Sequence, residues 1–171
     1  GNYYFTKVES YRRIKHDTSA NKFEVWTQDG TKRTYSHMLS GMNANTWKYA
    51  LTQVTDVNGN TVTYNWGTSL FSGDGLWLYP TSITYNGNTV SFHWELRPDW
   101  DHQAAGDKIY KTLGRLITIK VSVGGSLARA YKFTYRGSNS PGTGRSLLEN
   151  LQVYGTDATF SGSGNEQRVT G

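Results

Sequence analysis

A chain of 171 residues fits one domain, large enough to bury most of its apolar surface without staples. Its 12 Tyr, 6 Trp and 6 Phe against only 3 Pro favour strands, and the absence of cysteine excludes a disulfide framework while leaving the redox compartment open. The net charge of +5 is scattered singly, apart from Arg12, Arg13, Lys15 and His16, which argues against a nucleic-acid partner; no stretch reaches transmembrane-helix length, and the start GNYYFTKVES has no apolar signal region, so the chain reads as a piece of something longer.

The elements follow from turn chemistry and period-two alternation. Strands are expected near Tyr3–Glu9 and Tyr11–Lys15, then a hairpin joining Lys22–Gln28 to Thr31–His37 through Asp29-Gly30. A second hairpin joins Ala50–Asp56 to Asn60–Trp66, and a Gly/Ser-rich loop, Gly67–Leu78, precedes a third that joins Tyr79–Tyr85 to Asn88–Glu95. The run Arg97–Gly114 reads as a polar excursion with one helical turn. A fourth, long hairpin joins Arg115–Val123 to Ser126–Tyr135 through Gly124-Gly125. GSNSPGTGR over 137–145 reads as a flexible connection, Leu147–Tyr154 as a strand, and 156–171 as a flexible tail or linker. The expected fold is all-β, antiparallel hairpin repeats forming a β-sandwich or a curled sheet, with one domain over 1–155.

Two of these hairpins repeat. Asn58 to Trp66 reads NGNTVTYNW, and 28 positions later Asn86 to Trp94 reads NGNTVSFHW. In the later copy a two-residue Asn86-Gly87 loop sets Ile83 opposite Val90 and Thr81 opposite Phe92. The earlier copy has the additional Val57, and a two-residue loop would put Val54 on the wrong face. A three-residue loop, Val57-Asn58-Gly59, with Gly59 left-handed in a G1 bulge, restores Val54 opposite Val62, Thr52 opposite Tyr64 and Ala50 opposite Trp66. In a sandwich, Trp66 and Trp94 point inward with Val62, Tyr64, Val90 and Phe92.

The order of motifs resembles the Rhs/YD-repeat family, closest to the SpvB-type region of the B components of Tc insecticidal toxins. Asp56 to Trp66 is similar to that family's D-x-x-G-N-x-[IV]-x-Y-x-Y signature, with Trp47 upstream. Ile83-x-Tyr85, the run FHWELRPD ending at Arg97 and Asp99, Gly114-Arg115-Leu116-Ile117, and Arg129-x-Tyr131-x-Phe133-x-Tyr135 follow in the same order. The structural motif positions are thus Asp56, Gly59, Trp66, Gly87, Trp94, Arg97 and Arg115. The chain departs from the pattern in Trp66 and Trp94 where Tyr is usual, in Lys111 after Tyr110 where Asp is usual, and in lacking a counterpart of Asp56 in the third hairpin. The resemblance implies a secreted or cell-surface bacterial setting, a role in a shell or display scaffold, and partners among neighbouring repeats or domains of a larger protein.

Chemical candidates are few. Asp99 and Asp101 would share a face only if locally extended, and the metal or acid/base reading of Asp99, Asp101 and His102 competes with a simpler pairing of Asp99 with Arg97. There is no G-x-S-x-G elbow and no phosphate loop, so neither an enzyme nor a cofactor is expected. The alternative function is carbohydrate binding, with Trp77, Trp100, Trp26 and Tyr79 as stacking platforms and Asp74, Asp99, Asp101 and His102 as polar partners. Against it stands the reading that Trp77 and Trp100 fold back to plug the open end of the sandwich.

Overall fold

The computed structural model describes all residues except 39–47, 69, 73–76, 106–107 and 137–141, and for 103–105 and 108–110 the backbone alone. The strands are β1 (Asn2–Tyr4), β2 (Arg13–Asp17), β3 (Lys22–Trp26), β4 (Lys32–His37), β5 (Tyr49–Thr55), β6 (Thr61–Thr68), β7 (Leu78–Tyr85), β8 (Asn88–Ala105), β9 (Lys108–Val123), β10 (Ser126–Tyr135), β11 (Leu148–Tyr154), β12 (Phe160–Ser161) and β13 (Arg168–Val169). Strands β1 to β11 follow one another in chain order in one antiparallel sheet, and β12 pairs with β13. The all-β class expected from composition therefore holds, with one large sheet instead of two comparable stacked ones. By Cα proximity the chain forms two compact units, Gly1–Trp66 with Thr84–Asn86, and Gly67–Ile83 with Gly87–Gly171.

In the first unit, register sorts the side chains by period two. One face carries the rows Ile14, Val25, Arg33, Val54, Val62 and His16, Phe23, Tyr35, Leu51. The other carries Arg13, Trp26, Lys32, Thr55, Thr61 and Lys15, Glu24, Thr34, Gln53, Thr63. His16 stacks on Phe23 at 4.3 Å, and Tyr49 meets the same ring edge-on at 4.8 Å, the offset and T-shaped geometries that ring quadrupoles favour. Among the described residues of this unit only Glu24, Thr34 and Ala50 are buried, so its stability rests on cross-strand pairs more than on an enclosed core.

The turns match their sequences closely. Gly59 has φ 85°, its N–H bonds Asp56 O at 3.2 Å, and the Asp56 N–H bonds Asn60 O at 3.0 Å, which is the three-residue bulged loop. Val54 consequently sits opposite Val62. Asn86 and Gly87 have φ 46° and 75°, the two-residue primed turn of the later copy. The first hairpin corrects the expectation: Gly30 N–H bonds Thr27 O, Thr27 N–H bonds Thr31 O, and Gly30 alone has positive φ there. It is a second three-residue bulged loop, Gln28-Asp29-Gly30, because Asp29 accepts the Thr31 N–H at 3.0 Å and the Thr27 hydroxyl at 2.6 Å and keeps ordinary φ.

The second unit has a small enclosed core of Phe71, Tyr79 and Leu113, with Leu70, Trp77 and Trp94 packed against it. The excursion expected over Arg97–Gly114 is instead part of the long β8–β9 hairpin. Leu96 pairs with Gly114 and Asp101 with Thr112, so the four residues Arg97 to Trp100 stand against Leu113 alone. Pro98 offers no N–H to the ladder and sits inside this bulge, which lets the strand resume beyond it. Among the described residues of that run there is no helical turn. The C-terminal stretch carries β12, a 3-10 turn over Gly164–Glu166 and β13, with Val169 buried to 2% exposure.

Candidate functional site

The bulge and the residues just after it bring together Arg97, Asp99, Trp100, Asp101 and His102 of the residues that sequence reasoning had singled out. Asp99 is buried and accepts a two-pronged bond from Arg97, Nε to Oδ1 at 3.1 Å and Nη2 to Oδ2 at 2.8 Å. The Ser146 backbone N–H donates to Oδ2 at 2.7 Å and the Ser146 hydroxyl to Oδ1. Arg97 first, then the Ser146 donors, hold the Asp99 carboxyl far below the ordinary carboxylate range, although burial alone would push it up. Asp101 accepts from Arg145 Nη2 at 2.7 Å and from the His102 N–H at 2.8 Å, which lowers its pKa too. Arg145 and Asp101 are both 46% exposed in their side chains, so that pair adds little stability.

Ser146 links this latch to a second one. Its hydroxyl also accepts from Arg115 Nη1 at 3.0 Å; Arg115 pairs with Glu95 and lies 4.5 Å over the Tyr135 ring. Glu95 in turn binds Arg168 of β13 at 2.7 Å. The polar chain Asp99, Ser146, Arg115, Glu95, Arg168 therefore ties the bulge, the start of β11 and the C-terminal hairpin together. Ser146 and Arg168 carried no motif in the sequence, and Glu95 stood in the FHWELRPD run without a role assigned to it. Only proximity across 20 to 73 positions assembles them.

The proposed stacking residues separate. Tyr79 is 1% exposed, and its hydroxyl accepts the N–H groups of Leu113 and Gly114 at 3.2 and 2.9 Å. Trp77 is half-buried and packs against the core. Trp26 lies under the Arg13 guanidinium at 4.1 Å on the polar face of the first unit. Asp74 and Trp47 lie outside the described residues. Trp100 is 47% exposed at the bulge, edge-on to His102 at 4.9 Å, with Lys111 Nζ 4.7 Å from its ring. Of the residues read as a glycan platform, Trp100, Asp101 and His102 are together at the surface. Among the described residues no three His, Asp or Glu side chains converge as metal ligands.

The repeat motif is structural down to its indoles. Trp66 Nε1 donates to Leu51 O at 2.8 Å, and Trp94 Nε1 to Pro80 O at 2.9 Å. The sequence separations are 15 and 14, and the one-residue difference is the additional Val57 of the bulged loop. Asp56 organises that loop by accepting from Asn58 N, Asn60 N and Asn60 Nδ2 at 2.8, 2.9 and 2.7 Å.

Fold and site together define an all-β chain of successive antiparallel hairpins held by turn carboxylates, indole-to-backbone bonds and buried ion pairs. No family model and no curated sequence matches the chain. Among solved structures it is similar to the N-terminal domain of effector protein SpvB from Salmonella typhimurium strain LT2, with a TM-score of 0.68 at 8% identity over 90% of this chain and 68% of that one. At that identity the similarity is one of fold.

Proposed function

We propose that this chain is a non-catalytic structural module of a secreted or cell-surface bacterial protein of the Rhs/Tc-toxin kind, building one stretch of a β-shell or display platform. The observation that carries this reading is β11, the last strand of the large sheet. In β11, Leu148, Leu151 and Val153 are 54%, 50% and 58% exposed, and Leu151 and Val153 pair with Phe133 and Tyr131 of β10. Its other backbone edge meets no described strand. An edge of that length with apolar side chains is a template for a further strand. The fold shared with a domain of an effector protein supports a toxin-related setting, and the commitment of Asp99 to Arg97 and Ser146 supports a structural use of the site's carboxylates. Among the described residues no helix is long and apolar enough to cross a membrane.

Hydrogen exchange tests the reading. In the isolated chain the outward amides of β11 exchange fast; with the natural flanking sequence attached they become protected by at least about tenfold. Equal exchange in both forms would sink the proposal. A second reading, glycan binding, is favoured by the exposed Trp100 beside Asp101 and His102. It requires tryptophan fluorescence to respond to a polysaccharide panel and the response to vanish in Trp100→Ala with the fold intact.

A further inference from the structure

A row of side chains crosses the sheet of the second unit in register: His93 on β8, Thr118 on β9, Lys132 on β10 and Gln152 on β11. The C-terminal hairpin lies over part of it. Thr118 is 0% exposed, yet its Oγ1 has no protein partner. His93 is 8% exposed; its Nδ1 is 3.2 Å from Gly164 O, while Nε2 is buried and likewise without a partner. A buried polar atom without a partner has lost its hydration with nothing in return, so two neighbours in one row call for an explanation.

Beside Thr118 is a cavity of about 320 Å³. Thr118 and Lys132 line it from the sheet, and Ser161, Arg168 and Thr170 from the C-terminal hairpin. Among the described residues no carboxylate lines it. Arg168 reaches Glu95 through one nitrogen, and its side chain is 52% exposed. Lys132 has no ion-pair partner among the described residues, which leaves one positive charge beside three hydroxyls and the partly engaged Arg168. A single water serves Thr118 Oγ1 but neutralises neither cation. A ligand with an anionic group and several hydroxyls satisfies both kinds of partner, and the volume, at the small end of ligand pockets, limits it to one ring.

We propose that this cavity binds a small oxyanion-bearing polyol of monosaccharide size, the class of uronates and sugar phosphates. Lys132 and Arg168 take the oxyanion, and Thr118 Oγ1, Ser161 and Thr170 take hydroxyl groups. The site is separate from Trp100 and does not depend on the scaffold reading.

The test is ligand-observed NMR and thermal-shift titration of the whole chain with glucuronate, galacturonate, glucose 6-phosphate, inorganic phosphate and neutral glucose. At least one of the three sugar anions binds in the millimolar range and glucose does not. Thr118→Val, which removes only the orphaned hydroxyl, and Lys132→Gln each weaken that binding about tenfold while the chain stays folded. Thr118→Val by itself leaves thermal stability unchanged or raised, because it removes an unsatisfied buried group. Should Thr118→Val fail to fold, Lys132→Gln at its half-buried site decides. The proposal is overturned if no sugar anion binds up to about 10 mM, if glucose binds as well as glucuronate, if inorganic phosphate equals the best sugar anion, or if binding survives Lys132→Gln.

Discussion

Single residues show how differently two kinds of glycine act in this chain. Gly59 needs its positive φ, and nothing lies within 4 Å of where a Cβ would stand. Gly114 needs space: a Cβ there would meet Tyr79 Cε1 at 2.5 Å and Phe71 Cε2 at 2.9 Å. Gly59→Ala therefore costs about 1 kcal/mol of left-handed strain, whereas Gly114→Ala displaces packed rings and costs about 1–3 kcal/mol. Urea denaturation of both variants checks the order. Asp99 carries a pH signature. Its folded pKa lies below the ordinary 3.8, chiefly because of Arg97, so its contribution to stability is complete above that value and is lost as pH falls toward the folded one. Asp99→Asn should destabilise the chain by about 3–5 kcal/mol near neutrality, since it leaves Arg97 without its counter-charge. The same variant should flatten the stability curve below about pH 4. An acid limb as steep as that of the parent would show that other carboxylates dominate. Arg97 and Asp99 could be paired from the sequence because a single residue, Pro98, separates them; Ser146 could not, since it arrives from 47 positions away.

At the level of elements, the hairpin is the unit in which sequence and structure agree best. The additional Val57 makes the second hairpin loop longer than the third by one residue, and both the φ angles and the indole bonds of Trp66 and Trp94 reflect that residue. Deleting Val57 should convert the bulged loop into a two-residue turn and slip the register, taking Val54 off the face it shares with Val62. The loss expected is at most about 1.5–3 kcal/mol, the worth of one fully buried Val, since Val54 is half-buried, and it is read as a lower urea midpoint at unchanged slope. Trp94→Phe, which keeps a ring but strands the Pro80 carbonyl, should cost about 1 kcal/mol in the same assay. The first hairpin was less legible. Asp29-Gly30 suits a two-residue turn as well as a bulge, and only the bonds from Thr27 and Thr31 to Asp29 select between them. The bulge at Arg97 to Trp100 was missed because a polar stretch with Pro reads as a loop, although four residues can leave a ladder and the strand resume.

Over the whole molecule, the two units are stabilised in different ways. The first has few buried side chains among its described residues, and the second encloses Phe71, Tyr79 and Leu113 and is covered in part by the C-terminal hairpin. Val169, 2% exposed, anchors that hairpin, and Val169→Ala should cost about 1.6 kcal/mol for two buried methylene equivalents and speed amide exchange in β12 and β13 before it does so elsewhere. Exchange that rises uniformly would show that the hairpin does not open on its own. By itself the sequence determined the all-β class, the hairpin order, the turn types of the repeated pair and the pairing of Asp99 with Arg97. All of these are local, set by side-chain period, by glycine at positive φ and by residues within reach along one strand. Only the tertiary structure decided that Trp77 and Tyr79 are core while Trp100 is surface, that Ser146, Glu95 and Arg168 join the polar chain, and that Thr118 and Lys132 line one cavity. Those are contacts between residues tens of positions apart, and no pattern along the chain encodes which side of a sheet a returning loop will cover.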